Sequence, residues 1–138
     1  MTNINSELHK LPDQELLSFI ENEYSFGAPE VICALIKEFE LNQDQVRTIE
    51  ESGDYEYLSV DGCDYLAGTD SEMNTLWDED LENYLDDCLL PGMQCYFDRE
   101  RWKDDARING RAHSLASYDG NEHWINFDGE DYYFYRTN

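Results

Sequence analysis

The chain has 138 residues, with 32 acidic and 9 basic side chains and a formal net charge of -23. Such a charge is typical of disorder, but 41% hydrophobic and 14% aromatic residues supply enough apolar surface for a core, so we expect a folded protein. The excess of acids argues against direct binding to nucleic acid, because affinity for phosphate comes mainly from Lys and Arg.

The length predicts a single domain over residues 1–138, which can divide into a helical sub-lobe, 1–53, and a mixed α+β sub-lobe, 54–138. The longest apolar run, 31–36, is far shorter than a bilayer span, and the N-terminus shows no secretory signal. We therefore expect a cytoplasmic protein with no membrane partner. Its four cysteines form no Cys-x-x-Cys pair, and we expect them to be reduced.

Three short helices are predicted in the first third of the chain, with approximate bounds of 12–24, 29–40 and 42–51. Pro12 and Pro29 each stand at a first turn, where proline fits, and Asn42 is a favourable N-cap. Residues 1–47 hold nine acids and three basic residues. These are too few cations for a helix-turn-helix that binds DNA.

The middle and the end of the chain show strand signals. An Asp61-Gly62 pair lies between two strand-like runs and predicts a β-hairpin, with strands at 55–60 and 63–66. Asp98 caps a further helix, about 99–108. Three strand-like runs then predict an antiparallel meander, at 111–118, 123–127 and 132–136. The predicted class is α+β, with N-terminal short helices, a β-hairpin, a long acidic helix and a C-terminal three-stranded meander.

The long acidic helix, about 70–90, begins at a capping box formed by Thr69 and Glu72. Its apolar residues recur every three or four positions and form one core-facing stripe, made of Met73, Leu76, Trp77, Leu81, Tyr84, Leu85, Cys88 and Leu89. The other faces carry no cation and six acids, which are Asp78, Glu79, Asp80, Glu82, Asp86 and Asp87.

Several of these acids are like-charge neighbours. Asp78, Glu82 and Asp86 lie four residues apart, and each such pair destabilises an isolated helix by about 0.2–0.5 kcal/mol. A face kept acidic for solubility explains this pattern, but we favour a surface presented to a basic partner. The predicted partner-binding residues are these six acids together with Glu50, Glu51, Asp54 and Glu56. Because the three spaced acids lie off the apolar stripe, reversing their charge is expected to leave the fold intact.

The charge per unit length is that of duplex DNA. A duplex carries one negative charge per about 1.7 Å of its axis, so a charge of -23 corresponds to about 39 Å of duplex. A compact chain of this length has a diameter of roughly 37 Å. Acids four residues apart also lie about 6 Å apart along a helix, which permits a regular row of carboxylates. The sequence therefore predicts a DNA mimic.

Residues 93–110 follow a spaced pattern of polar and aromatic residues. The run Met93-Gln94-Cys95-Tyr96-Phe97-Asp98 is followed by Trp102, Asp105 and Gly110, which lie four, seven and twelve residues after the Asp. This segment resembles the C-terminal part of the ArdA antirestriction proteins, which keep the same spacing after a Leu-Gln-x-Tyr-Ile-Asp run. Here Met and Phe replace Leu and Ile, and the resemblance covers 18 residues of the chain.

The resemblance implies a protein of a phage or mobile element that acts in a host cell, mimics DNA as a homodimer and blocks type I restriction enzymes. The least negative region is 93–111, so we expect the interface between two copies there, with Tyr96, Phe97, Arg101 and Trp102 as candidates. Three alternatives stay open. They are an inhibitor of a CRISPR effector, an acidic adaptor of a basic protein unrelated to DNA, and a halophilic protein that needs molar salt to fold.

No pattern in the sequence indicates catalysis or a cofactor. The three histidines are far apart, and there is no P-loop, Gly-x-Ser-x-Gly or Gly-x-Gly-x-x-Gly stretch. The acidic runs do not fit the twelve-residue Ca²⁺ loop of an EF-hand. We therefore expect no enzyme activity, no cofactor and no metal site.

Overall fold

The computed structural model describes residues 8–53, 57–88, 98–108 and 110–138. The helices are α1 (Asp13–Glu23), α2 (Pro29–Phe39), α3 (Gln43–Ser52), α4 (Asp70–Cys88), α5 (Arg99–Arg107) and α6 (Arg111–Leu115), preceded by a 3-10 turn at Leu8–Lys10. The strands are β1 (Leu58–Val60), β2 (Cys63–Thr69), β3 (His123–Phe127) and β4 (Glu130–Arg136). These elements confirm the α+β class and the three short N-terminal helices.

The local signals that predict the helix starts are present as side-chain contacts. Asn42 accepts a hydrogen bond from the Gln45 backbone N–H at 2.9 Å, and the Gln45 side chain accepts one from the Asn42 N–H at 2.8 Å. Thr69 and Glu72 form the same reciprocal pair at the start of α4. The Asp98 side chain caps α5 by accepting a hydrogen bond from the Arg101 backbone N–H at 3.1 Å. Each cap satisfies N–H groups that a helix end leaves unpaired.

The four strands form one antiparallel sheet in the order β1-β2-β4-β3. Two Asp-Gly pairs, Asp61-Gly62 and Asp128-Gly129, connect the hairpins, and all four residues have positive φ, between 51° and 85°. A type I′ turn needs this backbone at both central positions, and Gly adopts it at little cost. The central strands β2 and β4 join the middle of the chain to its end.

Helices cover both faces of the sheet. On one face, α1, α2 and α3 pack against strand residues that include Tyr65, Phe127 and Phe134, and together they form the larger core. On the other face, α4 and α6 pack around Tyr135, which is 0% exposed, with Met73 of α4 buried beside it. Helix α5 lies against α4. The sheet therefore separates the N-terminal helices from the acidic helix.

The prediction of a strand over 111–118 is wrong. These residues form helix α6 and a turn, so the C-terminal end is a two-stranded hairpin and not a three-stranded meander. Ala112, Leu115 and Ala116 are three and four residues apart and pack in the core beside α4. That spacing is helical, whereas a half-buried strand would alternate. Strand β2 pairs with β4 in place of the predicted strand.

Among the side chains that the structure describes, the predicted apolar stripe of α4 is confirmed except at Tyr84. Met73, Leu81 and Leu85 are buried, and Leu76 and Trp77 are partly buried, as predicted. The Tyr84 side chain is 58% exposed, because its ring stacks on a side chain of α5 and not on the core. The side chain of Cys88 and the whole of Leu89 lie outside the described residues.

Candidate functional site

Three acids of α4 and three cations of α5 face each other across the contact between the two helices. Both sets recur every four residues, so each forms a row along one side of its helix. We call these six residues the ladder: Asp78, Glu82 and Asp86 on α4, and Arg99, Lys103 and Arg107 on α5. The rows run in opposite directions, since Arg107 Nη2 donates to Asp78 at 2.7 Å whereas Arg99 Nη2 donates to Asp86 at 2.8 Å.

Lys103 stands at the centre of the ladder. Its Nζ donates to Glu82 Oε1 at 2.7 Å and to Asp78 Oδ1 at 3.0 Å, and its side chain is only 4% exposed. Arg99 Nε donates to the second oxygen of Glu82 at 3.1 Å. Each acid of the row therefore has a cation within hydrogen-bond distance, although α4 itself contains none.

The ladder lowers the proton affinity of its central acid. Hydrogen bonds from Lys103 and Arg99 lower the pKa of Glu82 from 4.5 to about 2. The hydrogen bond to Glu82 in turn raises the pKa of Lys103, against the opposing effect of desolvation. The pairing also offsets the like-charge repulsion within α4. We therefore no longer expect charge reversal at Asp78, Glu82 and Asp86 to leave the fold intact. After reversal, three cations of α4 would face the three cations of α5.

The predicted acids of α4 outside the ladder are Glu79, Asp80 and Asp87, which we call the outer acids. All three are exposed, and none forms a salt bridge within the described part of the chain. Asp80 and Asp87 are about two helical turns apart and share one face of α4. Nearby protein atoms displace water around Asp80, and this desolvation raises its pKa above the ordinary value.

The other predicted partner-binding residues lie on the opposite side of the sheet or outside the described ranges. Glu50 accepts a hydrogen bond from the Ser25 backbone N–H at 2.7 Å, so it helps to hold the segment between α1 and α2. Glu51 is exposed, with no salt bridge to another described residue. Asp54 and Glu56 lie outside the described residues. The structure therefore does not bring Glu50 and Glu51 together with the outer acids.

The candidates for a dimer interface have different surroundings. Trp102 is partly buried and stacks on Tyr84, with ring centroids 5.6 Å apart and an interplanar angle of 13°. Arg101 is exposed and makes no salt bridge with the residues that the structure describes. Tyr96 and Phe97 lie outside those residues. Of the basic residues of α5, Arg101 is thus the one that the ladder does not use.

Helices α4, α5 and α6 enclose a groove of about 400 Å³. Its lining combines the rings of a tyrosine and a tryptophan, a carboxylate, an imidazole and smaller side chains, and consists of Asp80, Leu81, Tyr84, Trp102, Ala106, His113 and Ser114. Trp77 Nε1 donates to Ser114 Oγ at 3.0 Å, which holds α6 against α4 beside the groove. Sequence reasoning missed the groove because its residues come from three helices and share no local pattern.

Sequence reasoning also passed over exposed acids on the N-terminal helices. Glu15, Glu21 and Glu23 lie on the exposed side of α1, and none of them forms a salt bridge within the described ranges. Lys37, which lies nearby on α2, pairs with Asp13 instead. In the sequence, the excess of nine acids over three basic residues before Thr48 could have indicated this acidic surface. It lies across the sheet from the outer acids.

Among residues 8–53, 57–88, 98–108 and 110–138, no three His, Cys, Asp or Glu side chains are grouped so as to hold a metal ion. In the same ranges, no helix has both the length and the apolar content to cross a bilayer. We compared the chain with models of protein families, with curated proteins and with solved structures, and none of the three comparisons found a match. The case for a function therefore rests on the charges and the geometry of the chain.

Proposed function

We propose that the protein is a DNA mimic that inhibits a DNA-binding bacterial defence complex by occupying its DNA-binding groove. The observation that carries this proposal is the segregation of its charges. Five of the nine basic residues pair with acids that the structure describes, namely Lys37, Arg99, Lys103, Arg107 and Arg111. The outer acids, together with Glu15, Glu21 and Glu23 of α1, are exposed without such pairs within the described residues. A partner therefore meets negative charge with little positive charge to offset it.

The outer acids are held on a rigid element. Helix α4 is anchored by Met73, Leu81 and Leu85, which are all buried, so the backbone that carries these carboxylates is ordered before binding. Ordering in advance lowers the entropic cost of association. Complementary charge also accelerates the encounter with Lys and Arg side chains that normally contact phosphate. These features suit an inhibitor that competes with DNA.

The resemblance at residues 93–110 makes type I restriction enzymes the first target that we propose, in the cytoplasm of a host cell. A CRISPR effector is the second candidate within the same mechanism, because it holds nucleic acid in a positively charged channel. In both cases the protein binds another protein, not nucleic acid, and performs no reaction.

Displacement by DNA tests this proposal. The full-length protein is immobilised, a partner is captured from a bacterial lysate, and a short DNA duplex is added. We expect the duplex to release the partner, and we expect the affinity to fall steeply between about 50 and 500 mM salt, because screening weakens such contacts. An acidic adaptor unrelated to DNA would keep its partner in the presence of duplex, and that result would contradict the proposal.

Matched variants locate the binding surface. Replacing the three outer acids by their amides removes three charges with little change in shape, and we expect at least about a tenfold loss of affinity for the captured target. The control replaces Glu15, Glu21 and Glu23 of α1 by Gln, which removes the same charge on the other side of the sheet. Equal losses in the two variants would show that total charge, and not the surface of α4, determines binding.

We also propose that the active form is a homodimer, as the resemblance implies. Two copies related by a twofold axis would double the length of the mimic. Its interface is expected around Tyr96, Phe97 and Arg101, of which Arg101 is exposed. Trp102 is left out of this proposal, because its ring stacks on Tyr84 of the same chain and lines the groove. Sedimentation equilibrium at physiological salt tests the assembly, and Arg101→Glu is expected to weaken it. A single species of 16.2 kDa would overturn this part of the proposal.

A further inference from the structure

The groove between α4, α5 and α6 places an aromatic platform next to a carboxylate. Tyr84 and Trp102 stack with their ring planes 13° apart, and Asp80 lines the same groove. Asp80 and Tyr84 are four residues apart on α4, so their side chains are neighbours on one face of the helix. The Tyr84 side chain is 58% exposed, so the platform is open to solvent.

Asp80 differs from the acids of the ladder because it lacks a cation. Within the described residues, no Lys, Arg or His nitrogen lies within 4.0 Å of its carboxylate. Lys103 follows Trp102 directly in the sequence, but its ammonium group is directed into the ladder. Partial desolvation raises the pKa of Asp80, and a cation placed beside it would stabilise the charged form. Asp80 therefore has no opposite charge within salt-bridge distance among the described residues, although the His113 imidazole lines the same groove.

Arginine lies over aromatic rings elsewhere in this chain. The guanidinium carbon of Arg136 is 3.8 Å from the ring centroid of Tyr118, and that of Arg111 is 4.5 Å from the centroid of Tyr133. The ring of Trp102 has no such cation above it among the residues described. The Arg111 guanidinium also pairs with the Asp70 carboxylate, so it contacts both a ring and an acid. Trp102 and Asp80 offer the same two kinds of group in one groove.

We propose that this groove binds an arginine side chain of the partner protein, with the guanidinium group flat against an exposed ring face of the Tyr84–Trp102 stack and hydrogen-bonded to Asp80. Arginine fits better than lysine, because its planar guanidinium stacks on aromatic faces and donates to a carboxylate in a fixed geometry. The inference rests on the proposed function for the source of this arginine, which is the DNA-contacting surface of the target. This groove, which we call the arginine slot, would add one specific contact to a surface that otherwise binds through charge alone.

The experiment uses the full-length protein and a capped five-residue peptide, Gly-Ser-Arg-Ser-Gly. Two matched peptides carry lysine or the neutral isostere citrulline in place of arginine. The indole N–H resonances of Trp77, Trp102 and Trp124 report binding by NMR, and Trp102→Phe identifies the Trp102 signal. We expect the arginine peptide to shift that signal saturably and to leave the Trp124 signal in place. The lysine peptide should bind more weakly, and the citrulline peptide should give no shift.

Two isosteric variants separate the slot from general attraction. Asp80→Asn is expected to lower the affinity for the arginine peptide by about tenfold, because one charge-assisted hydrogen bond is lost. Glu51→Gln removes the same charge from α3 and should change the affinity less than twofold. The proposal is overturned if the two variants behave alike, if the citrulline peptide binds as well as the arginine peptide, or if a homodimer buries Trp102 and no peptide shifts its signal.

The peptide experiment and the displacement experiment test the two proposals independently of each other. The peptide titration contains no DNA-binding protein, so a negative result removes the arginine slot and leaves competition with DNA untouched. Conversely, a captured partner that duplex DNA cannot release removes the proposed function, while a peptide bound at Trp102 would still establish the slot.

Discussion

Glu82 accepts hydrogen bonds from Lys103 at 2.7 Å and from Arg99 at 3.1 Å, although these donors lie 21 and 17 residues further along the chain. The row of acids that would weaken α4 in isolation thus becomes the surface on which α5 docks. Helix α5 contributes few apolar side chains, and its contact with α4 depends on the ladder and on the stack of Tyr84 with Trp102. Charge that appears unpaired in the sequence is therefore in part structural.

Lys103→Met is expected to destabilise the protein by about 2 kcal/mol, because it leaves the acids of the ladder without their central cation. The free energy of unfolding from urea denaturation, followed by circular dichroism, measures the change. Arg101→Met removes the same charge from an exposed position of the same helix and should cost less than about 0.5 kcal/mol. Equal effects would show that the charge of α5, and not the buried ion pair, matters.

Reversing the acids of the ladder to Lys is expected to detach α5 from α4. Three cations would then oppose Arg99, Lys103 and Arg107, and like charges at this distance repel. The near-ultraviolet circular dichroism of the Tyr84–Trp102 stack should collapse, while the far-ultraviolet signal loses only part of its helical content. Reversing Glu79 and Asp87 instead, which do not line the groove of the stack, should keep both spectra. A native near-ultraviolet spectrum for the ladder variant would contradict the role assigned to these ion pairs.

The stability that Glu82 supplies should depend on pH. Its pKa is about 2 in the folded protein and 4.5 ordinarily, so the folded state holds the proton more weakly. This contribution is fully present above pH 4.5 and is lost as the pH falls towards 2. Protonation of the unpaired acids also changes the stability, because it relieves their repulsion. The measurement is therefore the difference in the free energy of unfolding between wild type and Glu82→Gln. That difference should shrink from pH 6 to pH 2.5, and a constant difference would contradict the lowered pKa.

Tyr135→Phe is expected to cost about 1 kcal/mol, because a buried hydroxyl with two partners is lost. Arg111 Nε donates to the Tyr135 oxygen at 2.6 Å, and the hydroxyl donates to Glu122 at 2.5 Å. Thermal unfolding measures the change. Tyr133→Phe removes a neighbouring hydroxyl with no hydrogen bond to another described residue, and should leave the melting temperature nearly unchanged. Equal shifts would mean that the hydrogen bonds of Tyr135 contribute nothing specific.

Salt is expected to stabilise the protein modestly. The net charge of -23 repels itself, and screening this repulsion should raise the melting temperature by a few degrees between about 20 and 300 mM NaCl. The ladder is screened less, since Lys103 is 4% exposed. Circular dichroism at each salt concentration checks both the fold and its stability. A chain that is unfolded until the salt concentration is molar would support the halophilic alternative instead.

The elements that the sequence predicts correctly are those with local causes. The caps at Asn42, Thr69 and Asp98 act within three residues, and the Asp61-Gly62 turn needs only its own backbone. The prediction of a strand over 111–118 overlooked a helical signal, because Ala112, Leu115 and Ala116 are helix formers spaced three and four residues apart. A helix of five residues is not stable alone, so its packing beside α4, which buries Leu115, is also needed. Local patterns thus indicate the element, and tertiary packing stabilises an element as short as this one.

The sequence by itself determined the charge, the class of the fold and the row of acids on α4. Only the tertiary structure decided which of those acids remain available to a partner. Asp78, Glu82 and Asp86 receive cations from α5, whereas Asp80 meets an aromatic platform and no cation. The physical reason is distance along the chain. Periodicity shows which residues share the face of one helix, but the charge that a second helix brings to that face depends on how the two helices pack.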